Sequence, residues 1–377
     1  MNRSLKLVTI SLFAWGMGEG MFLMFQPLYL QKLGADPITI GAILGGMGFM
    51  TTISQIPSGY LSDKFGPRPL MWASWIWGTL AACAMALANS LIFFIVALLL
   101  YGLTGSVLAP MNAYITAMRG DWSAERALTF TSAAFHLGFV VGPTLGGFLG
   151  QNFDFQILYV IASFLFIIST ILVLFIEKPK IEIHHDIGLK INIFKNLPFL
   201  RIVGLGTITL FFMVFTQSFT PVYLEELRST NMLQIGYLGT IGSLGNVLLA
   251  LSLGNLSARI GYFVSIPLVF LFPLLIWKST GFFGFGLAYF MFGGYRLARS
   301  MLLALGRSFV HSKDTGLAYG IIETANGVAT ILAPVICGII YNQNPQHIYT
   351  IALVGLFSVM VINLLLLPKE NKNKDEI

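Results

Sequence analysis

Charged residues are scarce in this sequence: Asp, Glu, Lys and Arg make up only 10% of its 377 residues. Soluble domains carry about 25%, and a hydrophobic share of 56% is more than a soluble core buries. We therefore predict that lipid is the solvent for most of the chain. Cysteine is also scarce, and Cys83 and Cys337 lie deep in apolar segments, which indicates small core residues.

Several other features are missing as well. No nucleotide-binding loop, Ser-His-Asp pattern or His/Cys cluster with metal-ligand spacing occurs, so we expect no enzyme, no cofactor and no metal site. The net charge of +6 is spread over short links and not along one amphipathic face, so no nucleic-acid partner is expected. A cleavable leader is not indicated either, because the first apolar run continues to about Leu30 and lacks an Ala-x-Ala site.

Long apolar runs alternate with polar breaks along the whole chain. A membrane-crossing helix needs roughly 20 apolar residues, and the longest break covers 177–198. This pattern predicts an all-α membrane protein with twelve transmembrane helices, in two pseudo-symmetric six-helix bundles (1–176 and 199–377) joined by a cytoplasmic linker (177–198). The predicted runs are 5–30, 38–61, 69–89, 91–118, 127–150, 155–176, 199–224, 233–258, 262–279, 282–309, 316–341 and 346–367.

The distribution of bases orients the chain. With the N-terminus in the cytoplasm, three of the 22 bases lie outside and two lie within the tenth helix. We therefore expect both termini in the cytoplasm. We also expect a monomer in the cell membrane. The seventeen bases on the cytoplasmic side are Arg3, Lys6, Lys64, Arg68, Arg119, Arg126, Lys178, Lys180, Lys190, Lys195, Arg201, Arg259, Arg307, Lys313, Lys369, Lys372 and Lys374.

The two halves carry an internal repeat at an offset of 191–195 residues. FQPLYL at 25–30 returns as FTPVYL at 219–224, and GYLSDKFG at 59–66 returns as GNLSARIG at 254–261. The second loop copy has Ala258 in place of Asp63, so the function of this acid belongs to the first half. The repeat predicts two parallel structural repeats.

The link at 59–70, GYLSDKFGPRPL, resembles the Gly-x-Leu-x-Asp-Arg-x-Gly-Arg-Lys loop signature of the major facilitator superfamily. The resemblance implies the two-bundle fold, a central cavity lined by the first, fourth, seventh and tenth helices, and a charge cluster that closes the cytoplasmic side. Its bases are expected to reach acids such as Asp121 or Glu125, although Pro67 replaces one family base. The gate residues carried over are Gly59, Asp63, Lys64, Gly66 and Arg68.

The fifth run contains GFVVGPTLGG at 138–147, which resembles the signature of the antiporter branches, especially drug–proton exporters. Small residues at spacing four allow close helix approach, and a proline bends the helix. The motif residues are Gly138, Gly142, Pro143, Gly146 and Gly147. In the fourth run, Tyr101 stands where such exporters often carry an arginine, which is a departure from the family pattern.

Charges inside membrane helices are costly and mark functional candidates. Glu19 lies near the middle of the first helix and shares a face with Trp15, Phe22 and Gln26. It is either a proton carrier or a neutral acid that is hydrogen-bonded to a neighbouring helix.

The tenth helix carries Arg296 and Arg299, and Glu323 on the eleventh lies at a depth that lets it pair with Arg299. Arg296 then remains for Glu19 or for an anionic substrate, unless all three charges form a fixed network that positions helices. These groups are the candidates for proton or ion coupling.

Uncharged polar residues complete the candidate site. Asn112 and Gln217 are predicted on the cavity side of the fourth and seventh helices. His136 and Asn246 match in depth on the fifth and eighth helices, and Gln55 matches Glu323 on the second and eleventh. Either pair could form a contact between the halves, with an interior, neutral His136 as the alternative.

Three functions are compatible with these features. The first is a secondary transporter that exports a small amphipathic compound or metabolite in exchange for protons, by alternating access. The second is an importer or facilitator of a small organic anion on the same fold, with Arg296 as ligand. The third is a membrane sensor without transport activity, which would usually need a soluble domain longer than the 22-residue linker.

Overall fold

The computed structural model is entirely helical over the residues it describes, which are 2–179, 193, 195–310 and 315–368, without the side chains of residues 56, 59, 63, 125 and 316. Most of the predicted linker, 180–192 and 194, lies outside the described residues. The helices are α1 (Arg3–Leu23), α2 (Gln26–Lys32), α3 (Pro37–Phe65), α4 (Pro67–Ala86), α5 (Leu91–Gly102), α6 (Leu108–Ala117), α7 (Ala124–Asn152), α8 (Phe155–Leu174), α9 (Leu197–Val214), α10 (Thr220–Arg228), α11 (Met232–Leu253), α12 (Ala258–Lys278), α13 (Phe282–Phe292), α14 (Gly294–Arg307), α15 (Thr315–Gln343) and α16 (His347–Leu366).

The turn residues in the predicted breaks act as helix caps. The Asp36 carboxylate accepts a hydrogen bond from the Thr39 amide at 2.7 Å and begins α3. Asp154 accepts from the Phe155 amide at 2.6 Å and begins α8. Such caps pair amides at the helix start that have no intrahelical partner. The breaks were located correctly because their chemistry is local.

Four of the predicted runs are interrupted, which corrects the expectation of continuous helices. The first bends by 46° between α1 and α2. The fourth passes from α5 through a 3₁₀ segment, Leu103–Val107, into α6. The seventh breaks between α9 and α10, and the tenth at Gly293, between α13 and α14. These are the same four helices that the family resemblance assigns to the cavity.

The repeated FQPLYL and FTPVYL motifs lie at two of these breaks. Pro27 stands in the first turn of α2, and Pro221 is the second residue of α10. Proline is favoured in a first helical turn, where its missing N–H has no intrahelical partner to lose. The motif therefore begins a short helix after a break in both halves of the chain.

Within the described residues, nine helical segments are long and apolar enough to cross a membrane, and α1 with α2 gives a tenth if the bent pair counts as one span. Two predicted runs are not among them. α4 begins with a Pro-Arg-Pro sequence and carries three tryptophans, and α14 carries three arginines. The protein is therefore an all-helical membrane protein.

The chain forms two compact units. The first consists of 1–186 together with 221–243, and the second of 187–220 together with 244–377. In the first unit α1 packs along α7 and α8, and α4 packs on α8. In the second, α12 packs on α13 and α14, and α15 packs on α9.

Candidate functional site

Glu19 lies in the first unit, on the helix that packs against both α7 and α8. Two flanking glycines permit this packing: a Cβ at Gly20 would stand 3.1 Å from the Phe139 carbonyl oxygen of α7, and one at Gly18 would stand 2.8 Å from the Phe166 ring of α8. Small residues allow helix axes to approach closely. The half-buried carboxyl of Glu19 is thereby held inside the helix bundle of this unit.

The polar neighbours of the Glu19 carboxyl are the Trp15 indole and the Tyr101 hydroxyl. Tyr101 occupies the position where the exporter pattern would have arginine, and it is 1% exposed. Its hydroxyl does not reach hydrogen-bond geometry with any described residue. At this position the chain therefore has a neutral hydroxyl, which can donate to or accept from a carboxyl, where the motif pattern would have a positive charge.

Aromatic side chains surround this acid. The Trp15 ring stacks on Phe166, with 4.1 Å between ring centroids, and lies 5.6 Å from Trp75 and 6.5 Å from Tyr101. Phe22, one turn along α1, contacts the Tyr101 ring at 5.5 Å. These pairs adopt the offset and tilted geometries that aromatic quadrupoles favour.

Two buried serine hydroxyls hold Trp75, one member of this aromatic group, in place. The Trp75 indole N–H lies 3.0 Å from the Ser11 hydroxyl and 2.9 Å from that of Ser169, and the two hydroxyls are 2.6 Å apart. This network joins α1, α4 and α8 and sets the position of Trp75, against which Trp15 packs. This network could not be predicted from the sequence, because isolated serines in apolar runs carry no local signal.

The second unit contains the predicted pair of Arg299 and Glu323. Arg299 Nε donates to Glu323 Oε1 at 3.3 Å, and its Nη2 contacts Oε2. The two side chains are 43% and 27% exposed. The Arg299 guanidinium also donates to the Tyr295 hydroxyl oxygen, and Arg296 is exposed next to this pair on α14. The depth argument from sequence is confirmed for this contact, while its role in coupling stays a prediction.

The remaining predicted cavity residues differ in burial. Asn112 and Gln217 are exposed, and Gln217 lies in the break between α9 and α10. In contrast, Trp15, Phe22 and Gln26 are 8%, 0% and 2% exposed. These three contribute to the interior of the first unit, and a contact with substrate stays a prediction for all five.

The link at 59–70, which contains the predicted gate residues, requires glycine at one position. Gly66 links α3 to α4 with φ of 81°, a conformation that favours glycine. Arg68 stacks on Trp72, with 4.1 Å from its guanidinium carbon to the ring centroid, and Lys64 is exposed. Neither forms an ion pair with Asp121 among the described side chains, and the charge cluster of the gate stays a prediction. The side chains of Asp63 and Glu125, and any contact at Gly59, lie outside the described residues.

The fifth-helix motif contacts two different neighbours. Gly138, Gly142 and Gly146, at spacing four, face α1, where a Cβ at Gly142 would stand 2.6 Å from the Met17 carbonyl oxygen. Gly147 faces α11, where a Cβ would stand 3.0 Å from the Gly236 Cα.

Pro143 also belongs to the α11 face of this motif. A Cβ at Gly239 would meet the Pro143 ring at 2.8 Å, and the Thr144 and Thr240 hydroxyls are 2.8 Å apart. The stretch is therefore a two-sided packing element. Gln55, His136 and Asn246 are half-buried, and their proposed contacts between the halves stay predictions.

No group of three or more His, Cys, Asp or Glu side chains that could hold a metal ion occurs among the residues with described positions.

Comparison with known proteins identifies the family. The model of the Major Facilitator Superfamily matches residues 8–306. The chain therefore belongs to the major facilitator superfamily, and it is a membrane transporter, not an enzyme.

The curated relatives include drug-efflux proteins. The chain is 24% identical over 407 residues to tetracycline resistance protein, class B, of Escherichia coli, covering 100% of this chain and 99% of that protein. It is 23% identical to multidrug resistance protein 2 of Bacillus subtilis, with 99% and 97% covered. It is 27% identical to multidrug resistance protein MdtG of Salmonella paratyphi A over 275 residues, with 69% and 68% covered.

Solved structures share the fold. A mutant of the nucleoside transporter NupG superposes with a TM-score of 0.84 at 14% identity, covering 97% of this chain and 99% of that one. The human organic anion transporter MFSD10 gives 0.68 at 14% identity, with 96% and 98% covered. At these identities the likeness concerns the fold alone.

Proposed function

We propose that this transporter exports a small amphipathic compound in exchange for protons, by alternating access, with Glu19 as the proton carrier. The observation that carries the proposal is the setting of Glu19: its carboxyl lies beside Trp15 and Tyr101, and the ion pairs found among the described side chains do not include it. A carboxylate in lipid surroundings is costly unless a cation neutralises it. A bound proton or a cationic group of the substrate supplies that neutralisation in turn, which is the requirement for exchange.

Two further observations support export over import. The relatives named for tetracycline and multidrug resistance align over most of the chain, at 23–27% identity. The acidic side chain of Glu19, set beside the rings of Trp15 and Tyr101, also suits a compound with a cationic group better than an anion.

The test is substrate-driven proton flux in proteoliposomes that contain the Glu19→Gln variant. We expect coupled proton flux to be lost while substrate binding is retained, because glutamine keeps the shape and polarity but not the exchangeable proton. Glu177→Gln is the matched control, since Glu177 is an exposed acid beyond the end of α8. Retained proton coupling in Glu19→Gln would rule out the proposed role.

The alternative is an importer or facilitator of a small organic anion, with Arg296 as its ligand. The observation that favours it is the exposure of Arg296 three residues from Arg299, whose own charge is balanced by Glu323. This alternative expects that Arg296→Ala abolishes anion binding and that Glu19→Gln leaves uptake unchanged. The two variants therefore separate the two functions in a single uptake assay.

We also propose the finer topology: twelve crossings in two six-helix bundles, 1–176 and 199–377, with both termini in the cytoplasm, and a monomer in the plasma membrane. The interrupted run at α13 and α14 counts as one crossing, because Gly293 separates its two parts by a single residue. The test is labelling of single cysteines in a Cys83→Ser, Cys337→Ser background with an impermeant reagent. We expect Lys32→Cys to react in intact cells and Arg119→Cys to react only after lysis; the reverse pattern contradicts the orientation.

A further inference from the structure

Three polar atoms inside the first unit have no hydrogen-bond partner among the described residues: Gln26 Nε2, the Tyr101 hydroxyl and the Tyr159 hydroxyl. Their residues are 2%, 1% and 1% exposed and come from α2, α5 and α8. A buried donor or acceptor without a partner is unfavourable for folding. Phenylalanine would fill both tyrosine positions without that cost, as Phe94 and Phe166 do beside them. The hydroxyl groups therefore call for an explanation other than packing.

The two tyrosine rings both lie against the ring of Phe22. The Phe22 ring is 5.5 Å from that of Tyr101 and 5.2 Å from that of Tyr159. Glu19 precedes Phe22 by three residues on the same face of α1. Gln26 begins α2, beyond the bend that follows α1. Tyr101 is the member of this group whose hydroxyl lies beside the Glu19 carboxyl. Glu19, the proposed proton carrier, therefore lies at the Tyr101 end of this series of side chains.

The outer end reaches the surface. The Tyr159 ring lies 5.2 Å from that of Tyr29, and the Tyr29 ring lies 5.6 Å from that of Phe155, the first residue of α8. Lys32 Nζ stands 5.4 Å from the centroid of the Phe155 ring. Asp154 pairs with Lys32, with 2.7 Å from Nζ to Oδ1, and these two side chains are 64% and 54% exposed. The distribution of bases assigns this end of the helices to the outside. The rings of Tyr29, Tyr159, Phe22 and Tyr101 thus contact one another in series, and the Tyr101 side chain lies beside Glu19. α7, the other helix packed on α1, contributes His136 next to Phe135.

We propose that Tyr29, Tyr159 and Tyr101 form a proton route through the first unit, from the rim at Asp154 and Lys32 to Glu19. Gln26 is a positioning residue on this route, because its amide donates a hydrogen bond but does not exchange a proton readily. A tyrosine hydroxyl donates one hydrogen bond while it accepts another. Each step moves one proton from a donor oxygen to the next acceptor, directly or through a water molecule. The tyrosines end in the protonation state in which they began, and the Glu19 carboxylate becomes a carboxylic acid.

This inference rests on the proposed function only in the identity of the acceptor, and it is tested by a measurement that does not require transport. The rate at which Glu19 takes up a proton is followed in proteoliposomes after a sudden drop in external pH, through the infrared absorption of its carboxyl group. Glu19→Gln identifies the band. The variants are Tyr159→Phe and Tyr101→Phe, which keep the rings and remove the hydroxyls.

We expect protonation of Glu19 to be slower by about tenfold or more in each variant, with thermal stability unchanged or raised because an unpaired buried hydroxyl has been removed. Tyr114→Phe is the matched control. Tyr114 is 0% exposed, but its hydroxyl donates to the Glu177 carbonyl oxygen at 2.8 Å. This control should lose stability and keep the wild-type rate of protonation.

The outcomes separate the route from the proposed function. Wild-type protonation rates in both tyrosine variants overturn the route, even if Glu19→Gln abolishes coupled transport. Slow protonation together with lowered stability in Tyr159→Phe indicates a structural role and also overturns it. If Glu19→Gln keeps coupled transport while Tyr159→Phe slows protonation at normal stability, the route stands and the exchange role of Glu19 fails.

Discussion

Gly142 lies where α7 packs closely on α1, and one added methyl group there tests this helix contact. A Cβ at this position would stand 2.6 Å from the Met17 carbonyl oxygen and 2.7 Å from the Gly20 Cα. Favourable non-bonded contacts between heavy atoms lie at about 3.5–4.0 Å, so the overlap is roughly 1 Å. Both neighbours are backbone atoms of α1, which cannot rotate away as a side chain can. Relief therefore requires the two helices to separate.

The expected cost follows from two opposing effects. Overpacking of a close contact costs about 1–3 kcal/mol, while replacing glycine by alanine in a helix gains up to about 1 kcal/mol. We expect Gly142→Ala to lower the free energy of unfolding by about 1–2 kcal/mol. Gly150→Ala is the matched control in the same helix. Its Cβ would meet Leu158 Cδ1 at 3.6 Å, an ordinary contact, so only the gain remains.

The assay is thermal unfolding of both purified variants in detergent, beside the unsubstituted protein. We expect Gly142→Ala to unfold at a lower temperature than the unsubstituted protein. Gly150→Ala should unfold at the same temperature as the unsubstituted protein or at a higher one. Equal transition temperatures for the two variants would refute this expectation, because they would show that α1 and α7 do not approach as closely as described.

Three further predictions concern charged residues. Removing one partner of the pair through Arg299→Gln or Glu323→Gln leaves the other charge half-buried and should cost about 1–3 kcal/mol in thermal unfolding; the double variant should recover most of this, and additive losses would contradict the pairing. The hydrogen bond from Lys32 lowers the pKa of Asp154 below its ordinary value of 3.8, so the resulting stabilisation is fully present above that value and is lost as the pH falls through the lower, folded-state pKa. Lys32→Met should therefore slightly reduce stability at neutral pH and have no effect near about pH 2, as measured by unfolding at both values. Asp63→Asn should shift the transporter towards the inward-open state, and unchanged cytoplasmic accessibility in cysteine labelling would count against the gate assignment.

The helices could be located from sequence because their ends are decided locally. Asp36 and Asp154 begin helices through hydrogen bonds to amides within three residues. The contact of Arg299 with Glu323 was also within reach, since a rise per residue converts position into depth and few acids lie in the membrane helices. Both predictions depend on one-dimensional information.

The helix breaks were not predicted, because hydropathy and periodicity do not report the loss of backbone hydrogen bonds. Gly293 and the Pro27 motif were visible in the sequence, but glycine and proline also occur inside unbroken helices such as α7 and α12. The polar partners of Glu19 depend on which helices pack together, and only the fold brings Tyr101 beside it. Arg68 stacks on Trp72 where an acid was expected, because the ring four residues later on the same helix is within reach.

The composition of the first unit has a consequence for how the protein is made. Residues 221–243 belong to this unit, although they follow the linker, and Gly236 supplies the surface on which Gly147 packs. When only α1 to α8 have been synthesised, residues 221–243 are therefore not yet present to make their contacts in the first unit. The exposed glycine face of α7 must wait in the membrane until α9, α10 and the start of α11 have been synthesised. The first unit therefore completes its contacts at this face of α7 only after residues 221–243 have been synthesised. A chain cut within the linker should assemble only when both pieces are produced together.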